Sequence, residues 1–401
     1  MKVALVCFYV IDSTIPLARN LSLQGIDTNL YSVLPYNNQN TYVFDFLKNK
    51  QSIGFVDKNV IKQTLGKRLS DYLLNVTTKV FIYPDRRFQM FSLIDLMYAY
   101  KLAKHLKKEK YDLIHIFHTS KRFWFFLYFF IDKRKVVQTL HEVTSHETKT
   151  PLWTKRILKL LIKNSTPIIF NSEISKQRFI NFQNDISGKK ISADNLAVIK
   201  FGLYETFLCF TDTSLKKEKD GKIRILNFGR IVPSKGIHLL IDAIKILQEK
   251  FPVHLTVIGD GTPYFTFDGI KSYDFVNRIF SNTEIVKLIE ECDIVVLPYI
   301  SASQSGIPMT VYCFNKPIIA SNVGGFQEVI ENLNTGILVE DLNARSFAAS
   351  IEMLLENPDL LLKMKENIKQ KYSEGEFSWP FIANETINFY KKHLLSKDLI
   401  P

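Results

Sequence analysis

The sequence is poor in cysteine, in long apolar runs, and in the short motifs that mark most cofactor and nucleotide chemistry. Four cysteines stand in 401 residues: Cys7, Cys209, Cys292 and Cys313. None is paired as C-x-x-C, which argues against a zinc site or a secreted disulfide framework and fits a reducing compartment. No apolar run reaches the roughly 20 residues that a spanning helix needs. Residues 3–11 follow a single lysine and lack a small-residue cleavage site, so they read as a first strand rather than a leader. Residues 123–131 are apolar throughout but too few to span. A buried crossover helix is expected there, with a shallow membrane dip as the alternative.

No G-x-G-x-x-G follows the first strand, so a dinucleotide-binding enzyme is not indicated. There is no G-x-x-x-x-G-K-[ST], no Asp-x-Asp to hold a metal, and no G-x-S-x-G elbow. What is present is ordinary for a soluble globular chain, 46% hydrophobic and 23% charged. The length suggests two or three domains.

Carboxylates are also in deficit. Lys and Arg total 52 against 40 Asp and Glu, a net +12. Residues 1–205 carry 31 cations and 16 anions, while residues 206–401 carry 21 and 24, so the excess of +15 belongs to the first half and the second is at −3. A basic excess admits nucleic acid, an anionic membrane or a phosphorylated substrate as partner.

Short β-branched runs alternate with longer helical patterns, the signature of parallel βαβ units. Strands are expected at 2–9, 28–33, 113–117, 136–140 and 167–171, with helices at 92–107 and 152–163. Residues 211–221 are polar, charged and aperiodic, and 209–221 is taken as a linker. A second series follows, with strands at 223–228, 254–258, 294–297 and 317–320 and helices at 236–250, 282–291, 309–314 and 344–357. The expected fold is therefore α/β, two Rossmann-like doubly wound domains facing a central cleft. Ligands of such sheets sit at the carboxyl ends of the strands.

Four stretches at those ends carry chemistry. In Asn227-Phe-Gly229-Arg230-Ile-Val-Pro-Ser234-Lys235-Gly236 a strand ends, Gly229 turns the backbone, and Ser234 is placed to cap the next helix. Arg230 and Lys235 beside a positive helix end suit a diphosphate, although a loop with two solvated cations fits the pattern as well. In Leu297-Pro-Tyr-Ile-Ser-Ala-Ser-Gln304-Ser305-Gly306-Ile307-Pro308 the amides of Ser305 to Ile307 are candidates for cradling phosphate or sugar oxygens, with an ordinary βα loop as the alternative. Asn322-Val-Gly324-Gly325-Phe-Gln-Glu328 permits close backbone approach, and Glu328 complements a helix dipole. Thr139-Leu-His141-Glu142-Val-Thr-Ser-His146 follows a strand. There His141 is placed to orient a hydroxyl and Glu142 or His146 to handle a proton, unless the histidine is simply structural.

The order Gly229-Arg230-x4-Lys235-Gly236, Val257-Ile-Gly-Asp-Gly261, Cys292-Asp-Ile-Val-Val-Leu-Pro298, Lys316-Pro-Ile-Ile-Ala-Ser-Asn-Val-Gly-Gly325-x-x-Glu328 and Thr335-Gly-Ile-Leu-Val339 resembles the family 4 retaining glycosyltransferases (glycosyl transferases group 1), which have the GT-B fold. Phe377-Ser-Trp379 is also similar, as are Leu140-His141-Glu142 and Phe170-Asn-Ser172-Glu more distantly. The resemblance implies an acceptor-binding domain at 1–208, a nucleotide-sugar domain at 222–376, and a last helix at 377–401 crossing back to the first domain.

It further implies a metal-independent enzyme with no cofactor beyond its nucleoside-diphosphate sugar. Arg230 and Lys235 would hold the donor diphosphate, and the backbone near Ile279 the base. Ser305, Gly306 and Ile307 would touch the phosphate or sugar, and His141 would lie by the sugar, with Glu142 as its catalytic neighbour. The family's Glu-x7-Glu pair is missing, since no carboxylate occurs between Asp293 and Glu328. Gln304 and Thr310 stand as neutral substitutes. The family's Gly-rich N-terminal loop is replaced by Phe8-Tyr-Val-Ile-Asp-Ser-Thr14.

The expected acceptor is a lipid-linked or growing cell-surface glycan of polysaccharide, lipopolysaccharide or capsule synthesis. Lys101, Lys104, Lys107, Lys108 and Lys110, together with Lys155, Arg156, Lys159 and Lys163, suit docking on the anionic inner face of a cell membrane from the cytoplasm. Each cluster is equally accounted for by a solvated helix face. No nucleic-acid module is visible, and nucleic acid is not expected as a partner. The alternative function is a GT-B partner subunit that binds nucleotide or glycan without catalysis.

Overall fold

A computed structural model describes residues 1–8, 11, 13–39, 50–73, 75–84, 93–117, 122–140, 152–185, 188, 190–212, 220–302 and 305–397. The chain forms two compact units. One joins Met1–Gly202 to Trp379–Pro401, and the other is Leu203–Ser378.

In the first unit the strands are β1 (Lys2–Cys7), β2 (Asp27–Pro35), β3 (Gly54–Phe55), β4 (Thr77–Tyr83), β5 (Leu113–Phe117), β6 (Val136–Leu140), β7 (Ile168–Phe170) and β8 (Leu196–Val198). They order as β3-β4-β2-β1-β5-β6-β7-β8, parallel except for the β3–β4 pair. Such a sheet is buried on both faces, so its strands read as near-continuous apolar runs. All of β5 and β6 is buried. The apolar run at 123–131 folds as the helix Arg122–Phe130, with Phe123, Trp124, Phe126, Leu127 and Tyr128 buried. No helix of the described residues is long and apolar enough to cross a membrane.

The helix Trp379–Leu395 packs on this unit. Pro380 accepts a hydrogen bond from Gln24 Nε2 at 2.8 Å, and Tyr390 Oη meets His115 Nδ1 on β5 at 2.5 Å. The other nitrogen of His115 meets Thr139 Oγ1 on β6 at 2.6 Å. Burial holds this histidine neutral, with its pKa lowered to about 3.

In the second unit β9 (Ile223–Phe228), β10 (Val253–Gly259), β11 (Tyr273–Asn277), β12 (Ile294–Leu297), β13 (Ile318–Ser321) and β14 (Gly336–Val339) order as β11-β10-β9-β12-β13-β14, all parallel. The period-two alternation divides each strand between two cores. Leu226, Phe228, Val295, Leu297 and Ile318 enter one core, while Ile225, Ile294, Val296 and Ile319 enter the other. The second core receives the helix Ile237–Leu247 through Ile237, Leu240, Ile241, Ile244 and Leu247, the stripe predicted by periodicity.

The boundaries differ from those expected at 208 and 209–221. The chain enters the second unit at Leu203, and Glu205–Phe210 forms a 3-10 turn. Leu203 and Phe207 are buried in that unit's core, and this apolar pair draws the segment away from the first unit. Residues 213–219 of the expected linker lie outside the described residues. At the far side Phe377 is likewise buried in the second core, so the change of unit falls after Ser378.

Candidate donor-phosphate site

The chain order of the second sheet reverses direction between β9 and β12. A crevice forms at such a switch point, outside the carboxyl ends of the two strands. The ladder between them is short, pairing only Ile294 with Ile225 and Val295 with Leu226. Beyond it the buried Asn227 spans the gap with its side chain, donating from Nδ2 to the Val296 carbonyl at 2.8 Å.

The loops leaving β9 and β12 are joined residue by residue. The Ser234 carbonyl accepts from the Ile300 amide at 2.9 Å. Lys235 Nζ lies 3.6 Å from the centroid of the Tyr299 ring. Gly236, at φ 61°, packs so closely that a Cβ there would come within 1.9 Å of the Pro298 carbonyl oxygen. Only glycine combines that left-handed conformation with that approach. Gly324, at φ 55°, brings the loop after β13 equally close, with Ala302 O at 1.8 Å from its would-be Cβ.

Ser234 therefore does not cap the following helix. The N-cap is Gly236, and Pro233–Lys235 is a 3-10 turn in front of it. The first helical amide, Ile237 N, donates instead to Tyr264 Oη at 2.8 Å. This tyrosine was not anticipated, because nothing local in the sequence links it to a helix start 27 residues earlier.

The electrostatics centre on Lys235. Its pKa is lowered to about 8, first by burial and then by the charge of Arg230. Among the described residues neither cation has a carboxylate partner. Across the crevice Tyr299 is almost fully buried, and its hydroxyl has no hydrogen-bond partner of normal geometry. Burial pushes its pKa up to about 12, with Ser305 and Arg230 close enough to pull the other way. Two cations with no carboxylate partner among the described residues thus lie near one another beside the Tyr299 ring. That arrangement favours an oxyanion with several acceptor oxygens.

The other expected residues fall around this point as follows. Gly229 ends β9 and donates its amide to Ile258 O at 3.0 Å; a Cβ on it would lie 3.3 Å from Ile307 Cδ1. Ser305, Gly306 and Ile307 lead into the helix Ile307–Tyr312, with the Ile307 amide 3.4 Å from Ser305 Oγ. Thr310 is buried, its hydroxyl turned back on Gly306 O at 3.3 Å. Ile279 follows β11 at the same sheet edge, is 77% exposed, and offers its carbonyl to Arg278. Gln304, His141 and Glu142 lie outside the described residues. Among the described residues no group of three His, Cys, Asp or Glu is placed to hold a metal.

Comparison with known proteins points to glycosyltransferases. Residues 211–371 match the model of glycosyl transferases group 1, and residues 63–193 that of glycosyltransferase family 4. A glycosyltransferase of Methanocaldococcus jannaschii is 27% identical over 179 residues, 43% of this chain and 46% of the relative. The capsular polysaccharide biosynthesis glycosyltransferase of Staphylococcus aureus is 26% identical over 254 residues, 59% of this chain and 64% of the relative. The chain thus spans less than half the length of the first relative and under two thirds of the second. Among solved structures, the Anabaena protein HepE in complex with UDP superposes with a TM-score of 0.63 at 17% identity, covering 98% of this chain and 100% of that one. At that identity the likeness is one of fold.

Proposed function

This chain belongs to the group 1 glycosyltransferases, with the GT-B fold, and from that membership we propose that it transfers a sugar from a nucleoside diphosphate to a growing cell-surface glycan with retention at the sugar carbon. The observation that carries the proposal is the pair of cations at the switch point of the second sheet that have no carboxylate partner among the described residues. A donor diphosphate supplies the missing negative charge. As the sugar–phosphate bond breaks, charge grows on the departing oxygen, and Arg230, Lys235 and the Tyr299 hydroxyl are placed to meet it. Such contacts strengthen toward the transition state and so act on rate.

Ser305, Gly306 and Ile307 are proposed as the backbone contacts to the phosphate or sugar, Gln304 and Thr310 as neutral contacts, and Ile279 as the base contact. His141 and Glu142 are proposed as the polar groups offered to the sugar by the first unit. The capsular relative supports a polysaccharide acceptor, and a lipid-linked one fits the basic first unit. Lys101, Lys104, Lys107 and Lys108 are exposed along the helix Leu93–Lys108, and Lys155, Arg156, Lys159 and Lys163 along Leu152–Lys163, as an anionic bilayer would require.

Calorimetric titration of UDP and GDP into the wild type and Lys235→Ala tests the reading, paired with a donor-turnover assay. The expected outcome is micromolar binding of one nucleotide and a loss of roughly 100- to 1,000-fold in turnover in the variant. Equal turnover in the two proteins overturns the diphosphate assignment.

A second reading, a nucleotide-binding partner subunit without catalysis, rests on the absence of any carboxylate between Asp293 and Glu328. Nucleotide binding with no turnover of any donor would favour it.

A further inference from the structure

On the first unit, at the edge where β6 and β7 begin, there is a cavity of about 380 Å³. This edge is opposite the carboxyl ends of the strands, so the cavity is separate from any crevice those ends form. The loop entering β6 contributes Asp132, Lys133 and Arg134, the turn entering β7 contributes Ser165, and His393 and Lys397 come from the last helix and the residues after it.

The lining is cationic. Its one carboxylate, Asp132, is already engaged by Arg134, accepting from Nε at 3.2 Å, from the guanidinium's terminal nitrogen at 2.9 Å and from the backbone amide at 3.1 Å. Neither Lys133 nor Lys397 has a carboxylate partner among the described residues. His393 is only 3% exposed. Its Nε2 donates to the Arg134 carbonyl at 2.7 Å, which leaves the buried Nδ1 of this cavity-lining residue with no partner. Burial and the charge of Lys397 both lower its pKa. Among the described residues Asp132 is the one carboxylate that lines the cavity, and it is spent on Arg134.

The rim is apolar. Phe129 and Phe130, which lead directly into Ile131 of the cavity, are 50% and 39% exposed, and Tyr100 packs edge-on against Phe130 while itself 52% exposed. Aromatic side chains next to lysines form the composition that settles at a membrane–water interface.

We propose that this cavity binds a phosphate group, and that its source is the headgroup of an anionic phospholipid, with Phe129 and Phe130 resting in the interface above it. Lys133, Arg134 and Lys397 carry the ionic contacts. An anion placed there offsets the Lys397 charge, and His393 takes up a proton from solvent so that Nδ1–H donates to a phosphate oxygen. The groups facing His393 are Lys397 on its own segment and Asp132, Lys133 and Arg134 across the cavity. The lipid source shares with the proposed function only the expectation of an anionic bilayer; the phosphate contact stands without it.

The test uses the full chain, ¹⁵N-labelled in histidine, with three probes: inorganic phosphate, phosphatidylcholine vesicles, and vesicles with about 30 mol% phosphatidylglycerol. Phosphate is expected to raise the His393 pKa by about one unit. The anionic vesicles are expected to bind the protein and the neutral ones not. Lys133→Ala/Lys397→Ala should abolish the phosphate effect and weaken vesicle binding about thirtyfold, while leaving UDP affinity unchanged. Lys101→Ala/Lys104→Ala, which alters no lining residue, should leave the phosphate effect intact. A response to phosphate without vesicle binding keeps the site and assigns it a soluble ligand. Vesicle binding equal in the wild type and the Lys133/Lys397 variant overturns the headgroup role, and a His393 resonance unmoved by both phosphate and anionic vesicles overturns the site.

Discussion

The ammonium of Lys235 stands 3.6 Å from the centre of the Tyr299 ring, a cation held against an aromatic face with no carboxylate beside it among the described residues. The ring stabilises the charge only in part. A cation–π contact contributes about 0.5–2 kcal/mol, while burial and Arg230 still bring the lysine's pKa down to about 8. Among the described residues the site's positive charge is not neutralised.

A pH profile of nucleotide affinity follows from this. Because the pKa is lowered, the charged form dominates below about 8 and is lost as pH rises through it. Binding above that pH must first restore the proton, so the UDP dissociation constant should climb toward tenfold per pH unit between about pH 8.5 and 9.5. Lys235→Arg keeps its charge throughout that range, and its profile should be flat. Calorimetry at constant ionic strength checks both.

Gly236→Ala should be far costlier than the same change at Gly25. Both glycines have positive φ, 61° and 83°. Around Gly25 there is nothing within 4 Å of a Cβ, so only the left-handed penalty of roughly 1 kcal/mol applies. At Gly236 the added carbon meets the Pro298 backbone, and the loops must part. Urea unfolding should show a loss of about 2–4 kcal/mol, with UDP affinity down at least about tenfold as Lys235 moves.

Asn227 is expected to be a stability residue that resists charge. Asn227→Leu leaves the Val296 carbonyl without its donor and should cost about 1–3 kcal/mol in urea unfolding. Asn227→Asp sets a carboxylate against that same oxygen and should be worse at pH 7. At about pH 4 the protonated acid can donate, and part of the loss should return.

His115 should make the first unit acid-sensitive. Its folded pKa, about 3, is depressed below the usual histidine value, so the unfolded chain takes up the proton first. The stability it contributes is complete above about pH 6.5 and is lost at up to roughly 1.4 kcal/mol per pH unit as the pH falls toward 3. Replacing it by Gln should lower stability at pH 7 and flatten the decline between pH 6.5 and 4.5. Denaturant midpoints across that range measure the difference.

Much of the architecture was legible because parallel strands buried on both faces announce themselves as apolar runs. Residues 113–117, 136–140, 223–228 and 294–297 form strands at those bounds. β4 and β14 went unpredicted although Val80–Tyr83 and most of Gly336–Val339 are buried apolar runs, whereas two others lack that mark. β11 lies at the sheet edge, with Tyr273, Asp274 and Asn277 exposed, so its sequence is mixed. β3 is two residues long.

Of the site, Arg230, Lys235 and the glycines were readable because each sits where a strand gives way to a loop. Tyr299 and Tyr264 were not. An aromatic two residues after a buried strand reads as core, and only the folded chain shows that Tyr299 lies under Lys235 while Tyr264 caps Ile237. Ser234 misled for a local reason. Its residue type suits an N-cap, but the left-handed Gly236 starts the helix two residues later and frees the Ser234 carbonyl to hold Ile300.

The first unit is assembled from residues 1–202 and a helix that begins only at Trp379, with the whole second unit between them in the chain. Translation therefore makes the two in a crossed order. The second unit is contiguous and can close as soon as Ser378 has left the ribosome. The first, although begun earlier, must wait with the partners of Tyr390 and Pro380 unmet until the last helix emerges. For a little under half of its synthesis this chain carries an N-terminal sheet whose strands are all made but whose last covering helix is still missing, an interval in which that face of the sheet is open to misassembly.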